Sequence, residues 1–427
     1  MAIEKSLTLP CGSTLKNRLA KSAMSENLAV NGVPGDKLIR LYEKWGQGNI
    51  GLVITGNIMV DGSELGEPNN MVLENDHSLD AYRKMTTAAK KHGSQIWAQI
   101  NHPGRQSPAA ISKTTVAPSA VKLKIANIAF RTPHELTDAE ILDIIQKFGR
   151  TAELCKEAGF DGVQLHGAHG YLTSQFLSPL SNQRTDRWGG SIENRMRFPI
   201  EVMRAMRKAV GHKYPIGIKI NSADFQRGGF DEDDAVAVVK ALEAEGVDLI
   251  EISGGTYEAA VMMRGAQEVP GSTRDTMSLQ AATGAQVRAS TAAREAYFLP
   301  FAEKIKKSVK TPIMLTGGFR TSLAMNQAIE GGIVDVVGIA RPLAMEPLVC
   351  IRLLRDANAR IEMQPVKTGI AILDRMGVLE IGYYSLQLKR IGEGKDPDKN
   401  LSPLLALPLL GLNYSSGILS RLLNRAS

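Results

Sequence analysis

Along most of this chain, short apolar runs alternate with amphipathic stretches. The apolar runs fall at about 19–24, 50–55, 95–100, 162–165, 215–220, 248–252, 312–315 and 334–339. Strands buried on both faces give continuous runs of this kind. The stretches between them carry helical periodicity. Leu38, Leu41, Tyr42 and Trp45 share one face; so do Ile141, Ile144, Ile145 and Phe148, and again Ala235, Val238, Val239 and Leu242. Further helices are expected over 77–92, 195–210, 301–309 and 322–330. Thr137 with Glu140 forms a capping box, Asp231 caps the helix behind it, and Gly93, Gly159 and Gly246 act as stops. About eight strands separated mostly by helices place the chain in the α/β class and predict a (β/α)8 TIM barrel over 1–355.

A doubly wound open sheet is the rival, and it needs a dinucleotide loop. Gly46 to Gly51 matches G-x-G-x-x-G, but a helix precedes it and a strand follows, the reverse of the required order. Two stretches, 106–133 and 256–291, lose periodicity and are expected to shape a pocket. Residues 356–427 form a C-terminal extension. Its 402–412 segment is apolar but short and proline-broken, and 413–426 is expected as an amphipathic helix. The extension is expected to pack on the barrel or on a neighbouring subunit; a membrane-surface anchor is the alternative.

Composition changes this picture little. The 427 residues are 43% hydrophobic and 22% charged, ordinary for a globular chain with a large core. The net charge of +7 comes without a dense Lys/Arg block, which points to a small anionic ligand rather than nucleic acid. Cys11, Cys155 and Cys350 are scattered and odd in number, against a disulfide framework, a zinc site or an iron–sulfur cluster. That pattern suits a reducing, cytoplasmic setting. The opening MAIEKSLTLP lacks the apolar run of a signal peptide, and no run is long enough for integral membrane insertion. Whether the chain forms a homo-oligomer is open.

Barrel enzymes build their sites at the C-terminal ends of the strands. Here those ends are Ser22, Ala23, Met24 and Ser25; Thr55, Gly56 and Asn57; Gln99 to Asn101; His166; Lys219; Ser253 to Gly255; Thr316, Gly317 and Gly318; Ala340 and Arg341. Nearly all are polar, charged or glycine, which predicts a large polar planar ligand across the mouth. Gly317, Gly318, Ala340 and Arg341 follow the seventh and eighth strands, where barrels hold a phosphate. Lys219 at a strand end needs a partner or a chemical role, either as a Schiff base or in stabilising negative charge on a reduced cofactor. His166, His169 and Tyr171 stand within six residues, beside Gly167 and Gly170. A hydrogen-bonded structural pair is the bland reading of the histidines. Metal is disfavoured, because no third ligand follows at a standard spacing and no H-E-x-x-H is present.

The run HGAHGYLTSQFLSPLSNQRTDRWGGSIENR, with Asn17-Arg18, AQINHPGR at 98–105, Lys219 and GIARPL at 338–343, resembles the signature of the old yellow enzyme family of FMN-dependent NAD(P)H:flavin oxidoreductases. The resemblance covers about 3–355. It implies FMN bound noncovalently at the barrel mouth, NADH or NADPH as hydride donor, and an activated alkene as the second substrate in a ping-pong cycle. By the same resemblance, His166 and His169 hydrogen-bond the substrate carbonyl, Tyr171 protonates the α-carbon, and Gln99 contacts the flavin pyrimidine edge. Lys219 faces the reduced flavin, and Gly318, Ala340 and Arg341 hold the phosphate. Ala23 stands where relatives commonly carry proline, and Ser25 where cysteine or threonine is usual. Relatives with an iron–sulfur cluster and a second flavin domain are not matched, since no cysteine cluster is present. The competing readings are an aldolase using Lys219, a tRNA-reducing flavoenzyme, whose cysteine donor near the third strand end is missing, and a non-enzymatic flavin-binding protein.

Overall fold

The computed structural model describes residues 1–124, 129–255, 295–296, 298–370 and 377–406, with single positions as far as 417. The barrel strands are β1 Leu19–Lys21, β2 Leu52–Met59, β3 Gln95–Asn101, β4 Gly162–Gly167, β5 Ile216–Asn221, β6 Leu249–Ser253, β7 Ile313–Thr316 and β8 Val336–Ile339. Each pairs in parallel with its sequence neighbours, and β8 returns to β1 to close the barrel. The helices α1 Asp36–Gly46, α2 Leu79–Lys90, α3 Asp138–Glu157, α4 Arg197–Val210, α5 Glu232–Ala244, α6 Leu299–Lys306, α7 Ser322–Glu330 and α8 Val349–Arg355 surround it.

Three details differ from the sequence expectation. The first apolar run is strand only as far as Lys21, and the chain from Ser22 onward leaves the sheet. The second strand continues past Thr55 to Met59, through a register shift between Ile54 and Asn57. The N-terminal segment forms a small antiparallel hairpin, Leu7–Thr8 with Thr14–Leu15. Leu9 and Leu15 plug the lower barrel, packing with Ala20, Leu52, Ile54, Trp97, Leu249, Met314 and Val336 in a cluster separate from the main core. Gly162 makes room for the Trp97 of that cluster: a Cβ there would come within 2.6–2.8 Å of the indole.

The lower rim repeats one device. An aspartate just before β4, β6 and β8 accepts a hydrogen bond from the first amides of the preceding strand. Asp161 takes Ile96 N at 2.9 Å, Asp248 takes Ile216 N at 2.8 Å, and Asp335 takes Ile313 N at 2.8 Å. Each carboxylate also meets a cation from a surrounding helix: Lys90, Arg207 and Lys306 respectively. Amides that open a strand have no ladder partner on that side, so the carboxylates satisfy them while the cations offset the buried charge.

The extension contributes a helix, α9 Gly377–Gly392, which lies against α1. Arg40 Nε donates to Gly392 O at 2.7 Å, and Lys37 pairs with Glu393 at 2.9 Å. The 256–291 stretch lies outside the described residues, as does most of the helix expected over 413–426.

Candidate active site

The upper interior of the barrel is polar. Alternate residues of a strand face the same way, and inward positions that are apolar below become Gln99, Gln164, Lys219, Glu251 and Thr316 above. They form one hydrogen-bonded chain. Gln99 Nε2 donates to Gln164 Oε1 at 2.8 Å, and Gln164 Nε2 donates to Glu251 Oε2 at 2.8 Å. Thr316 Oγ1 donates to Glu251 Oε1 at 2.7 Å and lies 2.6 Å from Ser22 Oγ. Lys219 Nζ is 3.1 Å from Glu251 Oε1, both side chains being buried. Gly338 stays side-chain-free because a Cβ would land on Thr316 and Ser22.

Above this floor is a pocket lined by Ala23, His169, Lys219, Gly317, Gly318, Ala340 and Arg341. These seven were expected from the sequence. Ser253 and Thr316, also among the strand ends named from the sequence, line it too; Phe298, Phe319 and Arg320 do so and were not singled out. Gly317 and Gly318 have φ of 127° and 92°, backbone that a side chain would strain.

The two histidines and the tyrosine converge where β4 ends. His169 has φ of 63° and Gly170 follows at 78°, so the chain doubles back and brings His169 against His166. The turn is held from both sides: His169 N donates to Asn221 Oδ1 at 3.2 Å, and its carbonyl accepts from Gln106 Nε2 at 2.9 Å. The rings of His166 and His169 meet edge to face at 5.1 Å, and those of His166 and Tyr171 at 4.8 Å. Ala168 N donates to His166 Nδ1 at 3.3 Å, which leaves the ring proton of a neutral His166 on Nε2. His169 Nε2 is 2.8 Å from Ser253 Oγ, and Asn57 Nδ2 donates to the Tyr171 hydroxyl oxygen at 3.5 Å. Burial holds both imidazoles well below their ordinary pKa. The neighbouring Lys219 cation reinforces this for both, and His169 does so for His166. Both rings are therefore neutral near pH 7.

The remaining expected residues lie off the pocket wall. Ser22 and Gln99 belong to the polar floor. Gly56 N donates to Glu26 Oε1 at 3.0 Å, and the space of a Gly56 side chain is filled by the Glu26 carboxylate and Met24 carbonyl. Ser25 donates to Glu67. Glu380, reaching in from α9, closes on Arg341. Gln164 and Glu251 had one sequence signal, a polar residue at inward parity within an apolar strand. Glu380 had none.

The site suits FMN. Positive-φ glycines, Arg341 and the Lys219 ammonium are grouped at one mouth, as an anion with a polar ring system requires. The buried Asn57 Oδ1, beside Tyr171 and off the pocket wall, finds no hydrogen-bond partner among the described residues. Among those residues no cluster of three or more His, Cys, Asp and Glu side chains is arranged for a metal, and no helix is long and apolar enough to cross a membrane.

A model of the NADH:flavin oxidoreductase / NADH oxidase family matches residues 9–359. The NADH-dependent flavin oxidoreductase iliE of Hypocrea jecorina (strain QM6a) is 38% identical over 366 residues, 80% of this chain and 86% of that protein. The NADPH dehydrogenase of Geobacillus sp. (strain WCH70) is 32% identical over 341 residues, 79% of this chain and 89% of that one. Against the Neonectria sp. (strain DH2) relative, 38% identical over 81% of this chain, it spans 46% of the relative's length. The old yellow enzyme homologue from Zymomonas mobilis superposes with a TM-score of 0.68 over 85% of this chain and 95% of that one; at 22% identity this is a likeness of fold. Barrel, mouth and relatives together define an FMN-dependent NAD(P)H oxidoreductase. The chain belongs to the NADH:flavin oxidoreductase / NADH oxidase family.

Proposed function

We propose that this chain reduces the activated C=C bond of α,β-unsaturated carbonyl compounds, or related nitro and quinone acceptors. The observation that carries this reading is the trio of His166, His169 and Tyr171 in ring contact beside a pocket that Lys219 and Arg341 line. FMN, when bound, supplies the hydride it has taken from NADH or NADPH. Arg341, Gly317, Gly318 and Ala340 would hold its phosphate, and Ser22 to Ser25, Gly56, Asn57, Gln99 and Lys219 would surround its ring system.

Neutral His166 keeps its Nε2–H for a substrate oxygen, and neutral His169 offers its Nδ1–H when Ser253 Oγ donates to its Nε2. Donors that are fixed in place stabilise the charge that develops on a carbonyl oxygen as its β-carbon accepts hydride. An imidazolium pair beside Lys219 would repel itself, so neutrality suits this role. Tyr171 carries its hydroxyl at the same end of β4 and is placed to deliver the proton that completes the reduction at the α-carbon. Its ring is anchored on His166, and Asn57 donates to its oxygen, which leaves the phenolic proton directed elsewhere. We assign 1–355 to the catalytic barrel and 356–427 to an extension that packs on it.

The experiment is anaerobic. The purified protein carries yellow FMN, NAD(P)H bleaches it, and an enone restores the colour. A bleached protein that an enone panel, nitroalkenes and quinones leave colourless would overturn the assignment.

A further inference from the structure

Glu251 takes no part in that reaction. It is fully buried, yet both carboxylate oxygens are engaged: Oε1 with Lys219 and Thr316, Oε2 with Gln164. Its strand partners in the sheet are Lys219 on one side and Met314 on the other. Met314 and Leu249 show that apolar side chains fill inward positions next to it. A buried ion pair seldom stabilises a fold more than apolar residues of similar volume, so the barrel gains little from a carboxylate here. The carboxylate acts on what the pocket feels. Lys219 lines the pocket and Glu251 does not, so the lysine presents its ammonium upward while the glutamate offsets that charge from below. Through Gln164 and Thr316 the same carboxylate also orients Gln99 and Ser22.

We propose that Glu251 is a positioning residue that sets the charge Lys219 presents to the cofactor, and so holds the flavin's reduction potential below the value a lone lysine would give. This rests on the reading that Lys219 faces FMN. Reduction places negative charge on the isoalloxazine, and a nearby net positive charge favours that form. The paired lysine supplies a dipole where an unpaired one would supply a full charge.

The test is the midpoint potential of the FMN-loaded full chain, by dye equilibration, in wild type, Glu251→Gln, Glu251→Asp, Lys219→Met and the Lys219→Met/Glu251→Gln double variant. Glu251→Gln shifts the potential positive and Lys219→Met shifts it negative. Glu251→Asp, whose shorter carboxylate retreats from the ammonium, falls between wild type and Glu251→Gln. The Glu251→Gln shift is much smaller in the Lys219→Met background. Flavin retained with an unmoved potential in Glu251→Gln overturns the proposal. So does loss of flavin from both Glu251 variants, which makes the carboxylate a requirement of the scaffold. If Glu251→Gln shifts the potential but Lys219→Met does not, the placement of Lys219 against the cofactor fails instead.

Discussion

Arg341 is ion-paired with Glu380, which reaches it from α9, 39 residues further along the chain. The pair joins the extension to the residue best placed to grip a phosphate. With the cofactor phosphate at Arg341 as proposed, it and the Glu380 carboxylate would compete for one guanidinium, so Glu380→Gln should tighten FMN binding. The two side chains are 30% and 29% exposed. Pairs of that kind contribute about 0.2–1 kcal/mol, which sets the gain at up to about fivefold. Quenching of FMN fluorescence on titration into apoprotein measures it, and Arg341→Met should weaken binding in the same assay. An unchanged Kd for Glu380→Gln would separate α9 from the cofactor site.

Tyr171→Phe should divide the two half-reactions. The ring keeps its contact with His166 and only the hydroxyl is lost. A positioned general acid contributes roughly 10²–10⁴-fold. Anaerobic stopped-flow should therefore show alkene reduction slowed within that range and bleaching of the flavin by NAD(P)H little altered. Equal loss in both phases would make Tyr171 structural.

Much of this was legible in the sequence, for a physical reason. Parallel barrel strands are buried on both faces, so they stand out as apolar runs, and the strand-end rule then locates the mouth. His166, His169 and Tyr171 were readable because glycine-flanked polar residues directly after a buried strand have few structural uses. The hairpin of Leu7–Thr8 and Thr14–Leu15 was not, since two-residue strands carry no periodicity. The end of β2 was hidden because Gly56 and Asn57 interrupt its apolar run, and Gly56 is there to admit the Glu26 carboxylate. Glu251 read as one residue of an apolar strand: parity says it faces inward, but only the assembled barrel shows that inward at that height means the floor of a pocket. The reach of Glu380 to Arg341 depends on how α9 docks on α1, and no local pattern encodes that.

Two buried groups, Glu64 in the loop beyond β2 and His102 just past β3, give stability opposite pH dependences. Burial raises Glu64 from its ordinary 4.5 to about 7, with Asp61 adding to the shift. Between those values the unfolded chain releases a proton that the folded chain keeps, so stability falls as pH rises from 4.5 to 7. Burial lowers His102 from 6.5 to about 4. There the unfolded chain takes up a proton that the folded chain refuses, so stability falls as pH drops from 6.5 to 4. Each window corresponds to about 3 kcal/mol at most, and between pH 4.5 and 6.5 the two largely cancel. Glu64→Gln should therefore gain on wild type as pH rises through 4.5–7, and His102→Asn should gain as pH falls through 6.5–4. Urea denaturation at half-unit pH intervals checks both, and parallel curves for variant and wild type would refute the assignment.

The lower-rim aspartates provide the sharpest stability prediction. Asp248 accepts from Ile216 N at 2.8 Å and Cys11 N at 2.9 Å, and pairs with Arg207 at 2.8 Å, the two side chains being 3% and 10% exposed. Asp248→Ala leaves two amides without their acceptor and the partly buried Arg207 guanidinium without its counter-charge, although the carbonyls of Gly211, Tyr214 and Gly246 still accept from it. Breaking a buried pair costs about 3–5 kcal/mol, and the cost here should fall toward the lower end. Asp161 performs the same service for Ile96 N, but its carboxylate is 29% exposed and its Lys90 partner 34%. Water replaces part of what Asp161→Ala removes, so its cost should be the smaller by at least about 1 kcal/mol. Chemical denaturation of the two variants side by side measures the difference. Because Cys11 belongs to the hairpin that plugs the barrel, Asp248→Ala should also expose that thiol to alkylation faster than Asp161→Ala does. Equal alkylation rates would show that the plug is held by its leucines alone.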